Sequence, residues 1–271
     1  MKFNKIIIDA DSLIYRCGFA AEGEPTSHAC HSLKLQIQAI KERLECEETE
    51  IYIGGQGNFR KDLSYSTVYK GTRPAVRPSM YDELREYIIN VHHAIVADGM
   101  EADDLASIAL YKDRDKQSGV VLAAMDKDLW NTPGWHFNYD PRKWKLEYVT
   151  QKAADKAFIV QLLEGDKSDN VPGLPHCAQA TIEKYHLKSQ AKKGCGTKTA
   201  RDLVKGLDPM PALDRAWEAY YDYGQEQGWD IKTSRDYFLE QGRLLWMTRG
   251  LWTDGSPILW EVPMKCAYWS Y

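Results

Sequence analysis

Acidic side chains recur in small groups, each directly after an apolar run. Asp9 and Asp11 follow KIII; Glu101, Asp103 and Asp104 follow HAIVADGM; Asp126 and Asp128 follow GVVLAAM. A fourth pair, Asp166 and Asp169, lies three residues apart in LLEGDKSDNVPGLP. Helical or near-helical spacing of three points both side chains the same way. Gly165, Gly173, Pro172 and Pro175 stiffen the chain around that pair and stop a long helix. One acidic pair after a strand is commonly a helix N-cap, which is the plain reading of Asp103 taken alone. Several groups on one edge are not explained by capping, because so many anions cannot stay ionised together without a cation. Oxygen ligands with no His or Cys among them suit Mg²⁺ or Mn²⁺ rather than zinc.

Hydrophobic patterning supplies the elements that would position these groups. KFNKIIID, EIYIGG, HAIVADGM and GVVLAAM read as short buried strands, and the segments after them as helices. These helices are SLIYRCGFAA, His31 to Cys46, Ser79 to His93 and EADDLASIALYK. WHFNYD and KLEYVT form a hairpin pattern around Asp140 and Pro141. Alternating strands and helices imply an α/β fold with a mainly parallel sheet flanked by helices, whose ligands bind beyond the carboxyl ends of the strands. From about residue 150 the pattern turns helical, over Thr150–Glu164, Gln179–Tyr185, Thr197–Lys205, Pro211–Gln227 and Ser234–Met247. SPILWEVP reads as a short edge strand. The expected division is an α/β core over 1–150 and a helical region over 151–271.

Composition bounds the rest. At 271 residues and 44% hydrophobic, the chain can bury one large core, or a core with a smaller lobe. No apolar run reaches about 18 residues, so no membrane span is expected, and MKFNKIIIDADS is wrong for a signal peptide. Cys17, Cys30, Cys46, Cys177, Cys195 and Cys266 show no CxxC pair, which fits free thiols in a reducing cytoplasm. His28, Cys30 and His31 read as part of a helix rather than as a metal tract. The formal net charge is −4; without eight of the acidic residues above (all but Asp11), 35 basic residues face 31 acidic ones. A phosphate-backbone partner is therefore compatible with the composition. GNFRKDLSYSTVYKGTRPAVRP is basic and aromatic. No GxGxxG follows the first strand, which argues against a nucleotide-binding Rossmann protein.

Taken in order, IIIDADSLIYR, YKGTRP, GMEADDLAS, MDKDL, GDKSDNVPGLP and GCGTKTA resemble the 5′-nuclease (flap endonuclease) family. The likeness is strongest to short phage exonucleases and to the 5′-nuclease domains of bacterial DNA polymerases I. It covers residues 3–206, and WTDGSPILWEVP resembles the phage type's ending. The resemblance implies a PIN-like (resolvase-like) core and a helix–three-turn–helix module at about 160–206. It assigns Asp9, Glu101, Asp103, Asp104, Asp126, Asp128, Asp166 and Asp169 to two or more Mg²⁺ ions, the last four to a second site; Mn²⁺ is an expected substitute. Asp11 is a weaker match. Arg16, Tyr69, Lys70 and Arg73 match positions that grip the 5′-terminal nucleotide or the scissile phosphate. Lys70 and Arg73 offer phosphate contacts and Tyr69 a flat face for a base. Asp9, Lys70, Arg73, Asp103 and Asp126 are the implied catalytic set. Gly194, Gly196, Lys198 and Thr199 match the duplex-holding turn, where backbone amides approach a phosphate and carbonyls bind K⁺.

The implied activity is metal-dependent hydrolysis of phosphodiesters near 5′ ends of nicked, flapped or duplex DNA in replication or repair, with the RNA of an RNA–DNA hybrid as a second substrate. One ion would activate water and another neutralise the leaving 3′ oxygen. The expected form is a cytoplasmic monomer (host cytoplasm if phage-encoded). Two departures stand out. IGGQGNFR carries Gly54 and Gly55 where the family usually has an Asp, so one ligand is expected to be missing. His176–Lys193 separates GLP from GCG, where the family runs nearly continuously. The rival readings are a branched-DNA-binding relative that no longer cuts and a PIN-type ribonuclease; GDKSDNVPGLP, GCGTKTA and the long helical C-terminus argue against the latter.

Overall fold

The computed structural model describes residues 2–72, 76–115, 119–188 and 194–263. In chain order the elements are β1 (Lys5–Asp9), α1 (Asp11–Ala20), α2 (Thr26–Leu44), β2 (Thr49–Gly54), α3 (Arg60–Leu63), α4 (Tyr81–His92), β3 (Ile95–Ala97), α5 (Ala102–Lys112) and β4 (Val120–Ala123). A 3₁₀ turn (Asp128–Asn131), β5 (Gly134–Asn138) and β6 (Lys145–Val149) follow. The remaining helices are α6 (Gln151–Glu164), α7 (Gln179–Tyr185), α8 (Thr197–Leu203), α9 (Pro209–Glu226) and α10 (Ile231–Leu245).

Two compact units result, and neither is one stretch of chain. The first comprises Met1–Phe59, Pro74–Gln151 and Met247–Ile258; the second comprises Arg60–Arg73, Lys152–Trp246 and Leu259–Tyr271. A single cut near residue 150 therefore misassigns two segments. Arg60 shows why its own segment joins the second unit. Its side chain is fully buried, and its guanidinium donates to the carbonyls of Leu244 (3.0 Å) and Trp246 (2.7 Å). A buried guanidinium needs such acceptors, and the end of α10 supplies them as the orphan carbonyls of a helix terminus.

The first unit is built on one six-stranded sheet in the order β3-β2-β1-β4-β5-β6, parallel except for the β5–β6 hairpin. Pleating sends successive side chains to opposite faces. Ile6 and Ile8 thus join the core that includes Leu13, Leu33 and Leu84, while Ile7 joins Ala102, Ala106 and Leu122 on the other face. Burial on both faces is what an all-apolar strand run demands. Chain order reverses direction across the sheet between β1 and β4, so their carboxyl ends flank the crevice where doubly wound sheets bind ligands.

The second unit packs α6 to α10 around an aromatic core. Phe238 meets Trp217 and Tyr220 edge-on, and Tyr220 donates its hydroxyl to the Leu162 carbonyl at 2.6 Å. Trp260 and Val262 belong to this core, so SPILWEVP does not become the expected edge strand. Pro257 and Pro263 lack amide donors, and the segment holds on through Trp260 rather than through a ladder. The only bridge described in that region joins Leu251 to Pro257. Helix α2 starts at Thr26 rather than His31 and carries His28, Cys30 and His31 in its first turns.

Candidate metal centre

Asp9 ends β1 and is only 5% exposed. By the pleat it falls on the same face as Ile7, the face covered by α5. Its carbonyl accepts the buried Tyr139 hydroxyl at 2.9 Å, and its Oδ1 lies 3.4 Å from the Asp11 amide. Burial, then the charges of Asp11, Asp126 and Glu101, push its carboxyl up to about 8. Three strand-end groups therefore act on one buried acid, at the crevice of the sheet.

Glu101 is the N-cap of α5, with Asp103 and Asp104 in its first turn. Each of these three offers a carboxylate oxygen within 4.8 Å of the others. Asp104 is fully buried and already employed: Oδ2 accepts the Glu101 amide (3.3 Å) in a capping box, and Oδ1 accepts the Thr248 amide (3.1 Å). Capping thus falls to Asp104 with Glu101, not to Asp103. Asp126 is exposed beyond β4 and accepts the amide of Asp128, which opens the 3₁₀ turn, at 2.9 Å. Arg16 on α1 is half-buried and donates to the Met125 sulfur at 3.9 Å, one residue from Asp126.

The remaining candidates lie in the second unit, apart from Arg73, which is outside the described residues. Asp166 and Asp169 are not on a helix. A two-way bridge between Asp166 and Val171 (2.8 Å each way) closes the loop, with Asn170 in the left-handed region. Asp166 Oδ1 accepts the Ser168 amide (2.7 Å) and hydroxyl (2.6 Å) and the Asp169 amide (3.2 Å). Gly165 and Gly173 pack backbone to backbone here: a Cβ on Gly173 would lie 2.4 Å from the Gly165 nitrogen. Asp169 takes the Tyr69 hydroxyl at 2.9 Å and the Lys70 ammonium at 3.6 Å. Tyr69 departs from the expected base-stacking role. Its ring is 5% exposed in the helical core, because its hydroxyl finds an acceptor in Asp169 there. Gly194 and Gly196 are exposed ahead of α8, whose first turn carries Lys198 and Thr199.

No protein-family model matches the chain. A 5′-3′ exonuclease of Buchnera aphidicola subsp. Baizongia pistaciae is 25% identical over 66% of this chain and 64% of its own length. DNA polymerase I of Pseudomonas aeruginosa is 25% identical over 74% of this chain, and that of Rhizobium leguminosarum 31% identical over 59%. The chain is similar in sequence to proteins named 5′-3′ exonuclease and DNA polymerase I. It spans 22% and 15% of those two polymerases. The fold agrees: a T5 5′-exonuclease structure, solved with divalent metal ions (zinc) bound, superposes with a TM-score of 0.54 at 15% identity, covering 89% of each chain.

The family resemblance drew attention to Gly54 and Gly55, and their surroundings differ. A Cβ on Gly55 would sit 2.2 Å from Asp98 Oδ1 and 2.5 Å from the Ala97 carbonyl, so that position admits no side chain. At Gly54 the first atoms a Cβ would meet all belong to the Asp11 carboxylate. The repeated acid in IIIDADS and a weaker family match were the sequence signals for Asp11, and its direction toward β2 depends on strand neighbours that sequence does not reveal.

Proposed function

We propose that this chain is a metal-dependent 5′-nuclease that hydrolyses phosphodiesters near the 5′ ends of nicked or flapped duplex DNA. The observation carrying this reading is Asp9, a buried strand-end acid pressed upon by the carboxylates of Asp11 at the start of α1, Asp126 beyond β4 and Glu101 at the N-cap of α5, at the crevice of a mainly parallel sheet. Such a donor set fits a hard divalent cation: it is all carboxylate, drawn from separate elements, and repulsive without a counter-charge. Asp9, Glu101, Asp103, Asp104, Asp126 and Asp128 would hold Mg²⁺, with Mn²⁺ as a substitute. Asp166 and Asp169 are further candidate ligands on the second unit. When bound, the cation supplies Lewis acidity that activates water and shields the leaving oxygen.

The chain's own groups do the rest. Lys70 and Arg73 stabilise negative charge on the scissile phosphate, and Arg16 adds a contact near the 5′ end. Lys70 is pre-positioned by its ion pair with Asp169 and by its amide, which donates to the Asp169 carbonyl at 2.8 Å. The amides about Gly194 and Gly196, with Lys198 and Thr199, hold duplex backbone and leave bases unread, with K⁺ as a structural ion of that turn. The enzyme works as a monomer in the cytoplasm, with RNA–DNA hybrids as a second substrate. No described helix is long and apolar enough to cross a membrane.

The test is a gel assay on nicked duplexes with and without a 5′ flap, the 5′ strand labelled internally, in Mg²⁺, Mn²⁺ or EDTA. Release of mono- or oligonucleotides in either metal, abolished by EDTA and by Asp126→Ala, is the expected result. Intact strands in both metals would leave a DNA-binding relative that no longer cuts. Faster cutting of single-stranded RNA than of duplex DNA would favour a PIN-type ribonuclease.

A further inference from the structure

Asp11 occupies an unusual position for a residue at the start of a helix. It follows Ala10, and α1 has no side-chain N-cap. Instead of turning back on its own helix, the carboxylate reaches the neighbouring strand, where Oδ1 and Oδ2 accept the Gly54 amide at 3.0 and 3.2 Å. Gly54 closes β2, which pairs with β1 so that Asp9 lies opposite Tyr52. The carboxylate therefore spans the carboxyl ends of β1 and β2, and its own amide lies 3.4 Å from Asp9 Oδ1. A Cβ built on Gly54 would sit 2.9 Å from Asp11 Oδ2, with Cγ and Oδ1 of the same residue next at 3.7 and 3.8 Å. The absent side chain of residue 54 and the carboxylate of residue 11 thus compete for one volume.

We infer that Asp11 supplies the divalent-cation centre with a positioning carboxylate, delivered from α1 into the space that a side chain at the end of β2 would fill. The inference rests on the reading of the strand-end acids as a cation centre. A neutral amide donor orients the carboxylate and leaves its negative charge in place, and it is charge that a hard cation draws on. Gly54 is then a glycine for lack of room, not for backbone freedom: its φ lies outside the left-handed region.

Mn²⁺ titration of the metal-free full chain, followed by the loss of free-ion electron paramagnetic resonance signal, separates the alternatives. Asp11→Asn keeps an oxygen for the Gly54 amide and loses only the charge; it is expected to weaken Mn²⁺ binding roughly tenfold, with the EDTA melting temperature held or raised. Asp11→Ala combined with Gly54→Asp moves the carboxylate to β2 and is expected to recover most of the affinity lost in Asp11→Ala alone. Wild-type affinity in Asp11→Asn would overturn the inference and leave Asp11 a staple for β2. A double variant no better than Asp11→Ala would overturn the shared volume. Absence of Mn²⁺ binding by the wild type would instead sink the cation-centre reading beneath it.

Discussion

On the proposed reading, Asp9 is the side chain on which the chemistry of the sheet edge turns. In the metal-free fold its carboxyl stays protonated up to about pH 8, because burial and then Asp11, Asp126 and Glu101 disfavour the charged form. Its ordinary value is 3.8, so the folded value is raised. The stability this proton confers is complete at acid pH and is lost as pH rises through about 8. Metal-free protein is therefore expected to melt at progressively lower temperature between about pH 4 and pH 8, and Asp9→Asn to flatten that slope. A divalent cation reverses the preference by favouring the anion. Mg²⁺ or Mn²⁺ binding at pH 7 should release about one proton, read by calorimetry in buffers of differing ionisation enthalpy. Equal heats in all buffers, or unchanged release in Asp9→Asn, would remove Asp9 from the centre.

At the scale of elements, the start of α5 divides labour among three neighbouring acids. Asp104 is fully buried, caps the helix through the Glu101 amide and holds the Thr248 amide. Removing it leaves two amides without their acceptor, a cost of about 2 kcal/mol. Asp104→Ala should therefore lower the melting temperature even in EDTA. A residue acting only as a ligand would behave oppositely, since deleting one charge from a repulsive cluster stabilises the metal-free fold. The sequence showed that acids followed the strands, but not this division, which depends on Thr248 far along the chain. The same distinction runs through the fold. Ile6–Ile8 and Val120–Ala123 read correctly as parallel strands because burial on both faces permits no polar alternation. The β5–β6 hairpin was legible from its turn residues. The start of α2 was not, for Pro25 stands at its N-cap and offers no capping side chain. Arg60 and Tyr69 belong to a basic, aromatic stretch whose sequence does not reveal their burial, yet both are buried by partners distant in sequence. Patterning reports which face is apolar; it does not report which distant carbonyl or carboxylate will receive a polar tip.

For the molecule as a whole, charge sets the terms on which a polyanion can approach. A formal charge of −4 opposes DNA at long range, although the chain carries 35 basic residues. Part of that opposition sits at the strand ends, where Asp11, Asp126 and Glu101 press on Asp9, and on the proposed reading it should be removable by the cation those groups would bind. Binding of a 5′-flapped duplex should consequently be weaker in EDTA than in Ca²⁺, roughly tenfold at moderate salt. The difference should shrink when Asp9 and Asp126 are both changed to Asn, because neutralised acids need no counter-ion. Adding salt separates this from a general ionic effect. Bulk screening acts on all exposed charges alike, whereas a cation held in a half-buried cluster keeps its charge against the phosphates. Fluorescence anisotropy across a salt series, in Ca²⁺ and in EDTA, measures both terms. Coincident curves would mean that the acidic edge and the DNA do not meet, and that the basic residues alone set affinity.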